Sequence, residues 1–310
     1  MRIKLGRVFS LVLAAVTGVS TAYAAPDLLL VGTPKEMKFY AMGNLPALVG
    51  TIALGSAPIS AAVSFDNKVG AAAAMDRFFW FDLTVTPPAL AAEVRLPANM
   101  TATQVAFSDN RLLVLAQTGG VSNLLTYRFF TAVAESTVSL ADVSNRIAGA
   151  GDVAFVSSVS ATKVTQIKVS TSTVVSSDTC AGPCSVVAWS TGYAFASSAG
   201  FTMYTGTAMM FTYRGEVDYL TPLGPRVYLG DASARKTAGT DSAPNLRAAV
   251  KLNGRPVGIA ASADAKYLYA ATVNPNGGAI EVIQIGSASP DAFLTSVGLA
   301  VSPTCLAATR

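Results

Sequence analysis

The chain has 310 residues, of which 51% are apolar and only 13% charged, with no histidine and a formal net charge of +4. Such a composition excludes a disordered, highly charged protein and provides enough apolar mass for a large buried core. The missing imidazole also removes Ser-His-Asp and Cys-His nucleophile systems, the common His-containing zinc and copper sites, and c-type haem attachment.

In chain order the first feature is "MRIKLGRVFSLVLAAVTGVSTAYAAPD", where Arg2, Lys4 and Arg7 precede an apolar run from Val8 to about Val19 and the triplet Ala22-Tyr23-Ala24. This is the pattern of a secretory signal peptide with an A-x-A cleavage site, so residues 1–24 are expected to be removed and 25–310 to form the mature domain. A membrane anchor is the rival reading, but an apolar core of about a dozen residues is shorter than the roughly 20 that span a bilayer. No transmembrane segment is expected after cleavage. The alanine-rich style points to bacterial export, hence a periplasmic or secreted protein. Removing the leader leaves 19 basic against 18 acidic residues. The basic balance therefore belongs largely to the leader, and no nucleic-acid partner is implied.

The rest of the chain repeats one event: an apolar strand, a polar or glycine turn, then a second apolar strand. It occurs at Phe65 in "ISAAVSFDNKVGAAAA", at Ser108 in "TQVAFSDNRLLVLAQTGG" and at Gly151 in "IAGAGDVAFVSS". Weaker copies follow at Ser190, Gly224, Ser262 and Ser302, so that the steps are 43, 43, 39, 34, 38 and 40 residues. Strand patterns alone, repeating at about forty residues, are the signature of a β-propeller. The expected fold is all-β, a seven-bladed propeller. Its last repeat is short of strands, so ring closure is expected to pair N- and C-terminal strands in one blade. Both "LLLVG" and "TCLAATR" suit the second-strand position of that blade. A two-sheet sandwich is the competing architecture, but it has no reason to repeat one turn pattern at near-constant spacing.

Within this frame, "MDRFFWFDLT" (Met75–Thr84) reads either as a stacking platform for rings or as a strand buried on both faces between blades, and the second accords with the repeat. Asp66-Asn67, Asp109-Asn110 and Asp152 fall at inter-strand turns, where side-chain oxygens accept backbone N–H bonds. Cys180 and Cys184 flank "AGP" and, in an oxidising compartment, are expected to form a local disulfide between the third and fourth repeats. Cys305 is left over on an apolar strand, as a small buried hydrophobe. The stretch Gly230–Asn245 shows sixteen residues without apolar periodicity and is expected to be a long loop, with Arg235, Lys236 and Asp241 as its charged members and candidate binding residues.

The run "PVGIAASADAKYLYAAT" followed by "GAIEVIQI", within Arg255–Ile285, resembles the repeat of the YVTN and lactonase-like seven-bladed propellers, with Ala265 where that family usually carries glycine. The resemblance implies fold; propellers host binders, scaffolds and enzymes alike. Lactonase-like enzymes use acidic, arginine and histidine side chains around the central opening, and no motif carries those roles onto this chain. The acidic residues form no D-x-[DN]-x-[DN]-G loop, although an oxygen-ligated calcium site stays open. The expected function is therefore an exported, non-catalytic propeller that binds a protein or another extracellular or periplasmic ligand through one rim, with no catalytic residues, metal or cofactor assigned. A lactonase-like or other carboxylate-based hydrolase is the alternative.

Overall fold

All the regular elements of the described residues are β-strands. The structure, a computed structural model, describes residues 27–309 except 159–161, 181–183, 190–191, 198–199, 205–207, 212–216, 224–225, 241–245 and 288. The expected leader, 1–24, and Asp241 lie outside the described residues.

Hydrogen bonding sorts the strands into seven antiparallel sheets of four. One holds β1 (Leu28–Thr33), β2 (Glu36–Ala41) and β3 (Ala47–Ala53). The next holds β4 (Ser60–Val63), β5 (Val69–Ala73), β6 (Arg77–Asp82) and β7 (Ala89–Arg95). A third contains β8 (Thr101–Ser108), β9 (Arg111–Thr118), β10 (Val121–Arg128) and β11 (Ser136–Leu140), and a fourth β12 (Ser144–Ala150), β13 (Val153–Ser158), β14 (Lys163–Lys168) and β15 (Thr173–Thr179). The fifth is β16 (Ser185–Trp189), β17 (Gly192–Ser197), β18 (Gly200–Tyr204) and β19 (Ala208–Phe211). The sixth is β20 (Tyr219–Leu223), β21 (Arg226–Asp231), β22 (Lys236–Gly239) and β23 (Val250–Lys251). The seventh is β24 (Arg255–Ala261), β25 (Tyr267–Asn274), β26 (Gly277–Gln284) and β27 (Ala292–Leu299). The last strand, β28 (Cys305–Ala308), joins the first sheet, pairing with β1 from Leu29↔Ala308 to Gly32↔Cys305 and giving the order β28-β1-β2-β3. Thr309 secures this junction: the Leu28 N–H donates to Thr309 Oγ1 at 2.7 Å and the Thr309 N–H to Leu28 O at 2.9 Å.

The first strands of successive sheets touch in turn, β4 against β8, β12, β16, β20 and β24, and β28 touches both β24 and β4. Radial sheets around one axis make a β-propeller. Each middle strand is covered on both faces by neighbouring sheets, so its period-two alternation feeds two cores. In β1, Leu28 and Leu30 pack towards the β4–β7 sheet while Leu29 and Val31 pack towards the β24–β27 sheet. The aromatic run behaves the same way. Phe78 and Trp80 join one core and Phe79 and Phe81 another, and no more than 1% of any of the four side chains is exposed.

Near the axis the first strands approach so closely that side-chain size decides. A Cβ on Gly149 would sit 2.0 Å from the Phe107 carbonyl oxygen, and one on Gly258 would sit 2.9 Å from the Leu306 Cβ. Glycine is required there by the neighbouring backbone.

The turns between first and second strands repeat in atomic detail. In one copy Ser64 Oγ donates to Asp66 Oδ1 at 2.7 Å, Lys68 N–H donates to the same oxygen, and Val69 N–H donates to Ser64 Oγ. In the other, Ser262, Asp264, Lys266 and Tyr267 reproduce those three bonds. The fourth turn residue needs φ near 60° in both, supplied by Asn67 and by Ala265. Asparagine tolerates that region, whereas alanine pays a steric penalty of about 1–2 kcal/mol.

Two expectations need correction. Ser302 precedes the first strand β28, whereas the true turn positions follow a first strand; "VGLAV" is the outer strand β27 and "TCLAA" the innermost one. Gly230–Asn245 is not one long loop, because Gly230 and Asp231 end β21 and Lys236–Gly239 form β22. Short β22 carries Thr237, Ala238 and Gly239 inward, a trio too small and polar to show apolar alternation. The turn before it is closed by Asp231, whose Oδ1 accepts Ser233 Oγ–H and Ala234 N–H.

Two predictions follow from these packing facts. Ala265→Gly should raise unfolding free energy by about 0.5–1 kcal/mol in urea titrations, the relieved αL strain exceeding the added unfolded-state entropy; a loss of stability would contradict the turn geometry. The second concerns alkali. Burial, assisted by the Asp291 carboxylate, pushes the Tyr228 hydroxyl up to about 12; burial does the same for Tyr269 and lifts the Cys305 thiol to about 12. These groups hold protons in the fold that the unfolded chain releases from about pH 9 upward. Stability should thus be level below about pH 9 and fall as pH rises towards 12. Urea midpoints across that range test it, and Tyr228→Phe should flatten the decline.

Candidate functional site

The first strands of all seven sheets line a central cavity of about 210 Å³. Its two ends differ. Gln104, Arg146, Ser185, Asp218 and Tyr219 lie towards the ends where their first strands begin, whereas Val63, Gly149, Ala188, Pro222, Ala261 and Ala308 lie where first strands finish. Antiparallel order places the second-to-third-strand turns at the polar end: Tyr219 pairs with Gly230, and Asp231 with Lys236.

Arg146 dominates the polar end. Its side chain spans from β12 to the start of β20, where Nη2 donates to Asp218 O at 3.4 Å, while Nη1 donates to Asn145 O at 3.2 Å. The guanidinium carbon stands 5.9 Å from the centre of the Tyr219 ring, within cation–π range. Burial raises the Tyr219 hydroxyl above its ordinary value, with Arg146 opposing that shift and Asp218 adding to it. Ser185 Oγ donates to Val217 O at 2.8 Å, and Gln104 Oε1 accepts the Ile147 N–H at 2.6 Å. Asp218 Oδ2 accepts the Ala232 N–H at 2.7 Å, which couples the channel to the β21–β22 turn.

That turn carries two of the residues expected to bind. Arg235 is exposed at φ 51°, and Lys236 opens β22 half-buried. The second-to-third-strand turns emerge at the same end of the disc as the polar channel mouth. Arg146, Asp218 and Tyr219 were not singled out by sequence. The available signal was a charged or polar residue in the first half of the β8, β12, β16 and β20 stretches, in an otherwise mostly apolar series.

A second buried charge shows what a purely structural role looks like. Glu281, 1% exposed, accepts the N–H groups of Asn253 (2.8 Å) and Gly254 (2.9 Å), Asn253 Nδ2 (3.2 Å) and the Thr272 hydroxyl (2.7 Å). It lies outside the channel lining. Among the described residues no group of three or more acidic or cysteine side chains is placed to hold a metal ion. No described helix is long and apolar enough to cross a membrane.

Cys180 and Cys184 form a disulfide, both buried against Phe155, Val164 and Val186, with the Cys180 N–H donating to Thr162 O at 2.7 Å. Cys305 is a free, buried thiol.

No family model matches the chain, and no curated protein matches it. Among solved structures it is similar in fold to U3-55K, with a TM-score of 0.68 and 12% identity over 81% of this chain and 84% of that one. A chain of the mitotic checkpoint complex gives a TM-score of 0.65 and 11% identity over 99% and 92%. AztD of Citrobacter koseri gives 0.65 and 8% over 92% and 98%. At such identities the likeness establishes the propeller fold and nothing finer.

The disulfide closes a loop so short that it should stabilise by less than the roughly 3 kcal/mol of a 15-residue loop. Reduction is expected to lower Tm by only a few degrees and to leave the far-ultraviolet spectrum of the sheets unchanged; global unfolding on reduction would contradict this.

Proposed function

We propose that the protein is an exported, non-catalytic binding module that presents the polar end of its propeller to a protein or other ligand. The observation that carries this reading is the one-sided polarity of the axis: Arg146, Gln104, Ser185, Asp218 and Tyr219 towards one end, apolar residues from Val63 and Phe65 to Ala308 at the other. The exposed Arg235 projects from the same end. Loops and strand ends on one face of a rigid scaffold are the usual place for recognition. One fold neighbour is itself a component of a complex, the mitotic checkpoint complex. Export is supported by the basic start, apolar run and Ala22-Tyr23-Ala24 of the leader.

As part of the same reading, the seven sheets are seven blades of one ring, closed by β28, which pairs with β1 and supplies the innermost strand of the first sheet. The YVTN-like run at Arg255–Ile285 supports that count. A carboxylate-based hydrolase needs two acids with separated roles near the reacting bond. Among the described lining residues Asp218 is the one acid, and its Oδ2 is already engaged by Ala232. Binding is accordingly preferred to hydrolysis.

The test is a paired charge reversal, Arg235→Glu with Lys236→Glu, compared with Arg128→Glu at the end of β10, on the opposite side of the disc. Tm should be nearly unchanged, and capture of partners from a periplasmic or culture extract should fall at least tenfold for the Arg235/Lys236 variant alone. Equal capture by both variants would move recognition away from this face.

A further inference from the structure

We infer that the polar end of the channel is a binding site for one small anion of the carboxylate or phosphate class, held by Arg146 and Gln104. The inference starts from an imbalance. Arg77, Arg111, Arg128 and Arg247 each face a carboxylate within 3.1 Å, and of the described arginines without an ion pair Arg95, Arg235 and Arg255 are exposed to water and Arg226 lies outside the cavity. Arg146 has no ion pair among the described residues, although it is half-buried and lines the cavity. A guanidinium offers five N–H donors. Here only two long bonds, 3.2 and 3.4 Å, go to main-chain carbonyls. Holding a cation away from bulk water without a counter-charge is unfavourable unless something completes it. Glu281 makes the contrast, since four donors saturate its buried charge.

The surroundings are arranged to receive rather than to supply that negative charge. The nearest acid, Asp218, points Oδ2 at the Ala232 N–H, so its contact with Arg146 is through its main-chain oxygen. Gln104 spends its oxygen on the Ile147 N–H, the residue next to Arg146, which fixes the amide and leaves Nε2 with no hydrogen-bond partner among the described residues. Guanidinium and amide N–H groups are thus free donors on adjoining first strands, and the Tyr219 ring under the guanidinium limits its motion. A planar fork with a neighbouring amide donor matches the oxygens of a carboxylate or phosphate. The cavity of about 210 Å³ has room for a small anion.

This site is independent of protein capture at the rim, since the Arg235 and Lys236 reversals leave Arg146 in place. The test is calorimetric titration of the mature chain at low ionic strength with citrate and with inorganic phosphate in separate experiments, which distinguishes the two sources of charge. At least one should bind saturably with one site per chain and weaken as salt rises. Arg146→Gln should weaken it at least tenfold, Arg146→Lys less, and Arg128→Gln not at all. Gln104→Glu keeps the acceptor for Ile147 but replaces the free donors by a negative charge; it should also weaken binding at least tenfold, and it decides the matter if Arg146→Gln fails to fold. Absence of saturable binding by both probes, or binding that survives the folded Arg146→Gln or Gln104→Glu variants undiminished, would overturn the inference.

Discussion

The closest constraint in this molecule is the crowding of seven first strands around one axis. Where the Phe107 carbonyl would meet a Cβ on residue 149 at 2.0 Å, only glycine fits, and where β24 passes β28 the same holds at Gly258. Ala61, Ala62, Ala260, Ala261, Ala307 and Ala308 line the same axis. Small residues let the sheets converge, and convergence in turn covers both faces of strands such as β1, β5, β6, β9 and β25. Many of the bulky side chains lie farther out, on β6 and β10, where Trp80, Phe78 and Tyr127 interlock at ring separations of 4.7–5.7 Å. Aromatic bulk and axial smallness are two consequences of one radial geometry.

Neighbouring sheets are also fastened by polar side chains that reach across the apolar layers. Tyr228 on β21 donates to Asp291 at 3.0 Å, and Asp291 also meets Arg247 at 3.1 Å. Tyr269 on β25 exchanges hydrogen bonds with the main chain of Gly43, between β2 and β3, at 2.9 and 3.1 Å. In each case an aromatic body fills the core while its hydroxyl is satisfied at the edge, so burial costs no unpaired polar group. The same burial holds these protons in place far into alkali.

The polar end of the axis differs from these fastenings. Arg146 and Gln104 keep donors in reserve beside a cavity, and the same end carries Arg235 at the β21–β22 turn. The link through Asp218 to Ala232 joins cavity and rim by one hydrogen bond. Cavity lining and rim turn are therefore held in register on one end of the disc.

The sequence by itself determined the repeat, the strand class and the turn chemistry, because each is written within a few consecutive residues. Ser64–Lys68 and Ser262–Lys266 form the same network from the same side-chain spacing, the alternation of β1 and β6 announces two buried faces, and the Cys180–Cys184 pair is close enough in sequence to join without help from the fold. Tertiary structure alone decided three things. It put "TCLAA" inside "LLLVG", since both strands fit either place until the termini meet. It made Lys236–Gly239 a strand, because pairing with Tyr228–Asp231 supplies what apolar alternation does not. It brought Arg146 over Asp218 and Tyr219, more than seventy positions away, through packing of distant sheets that no local pattern records. Sites built at an axis draw one or two residues from each repeat, so their chemistry is invisible in any single stretch of chain.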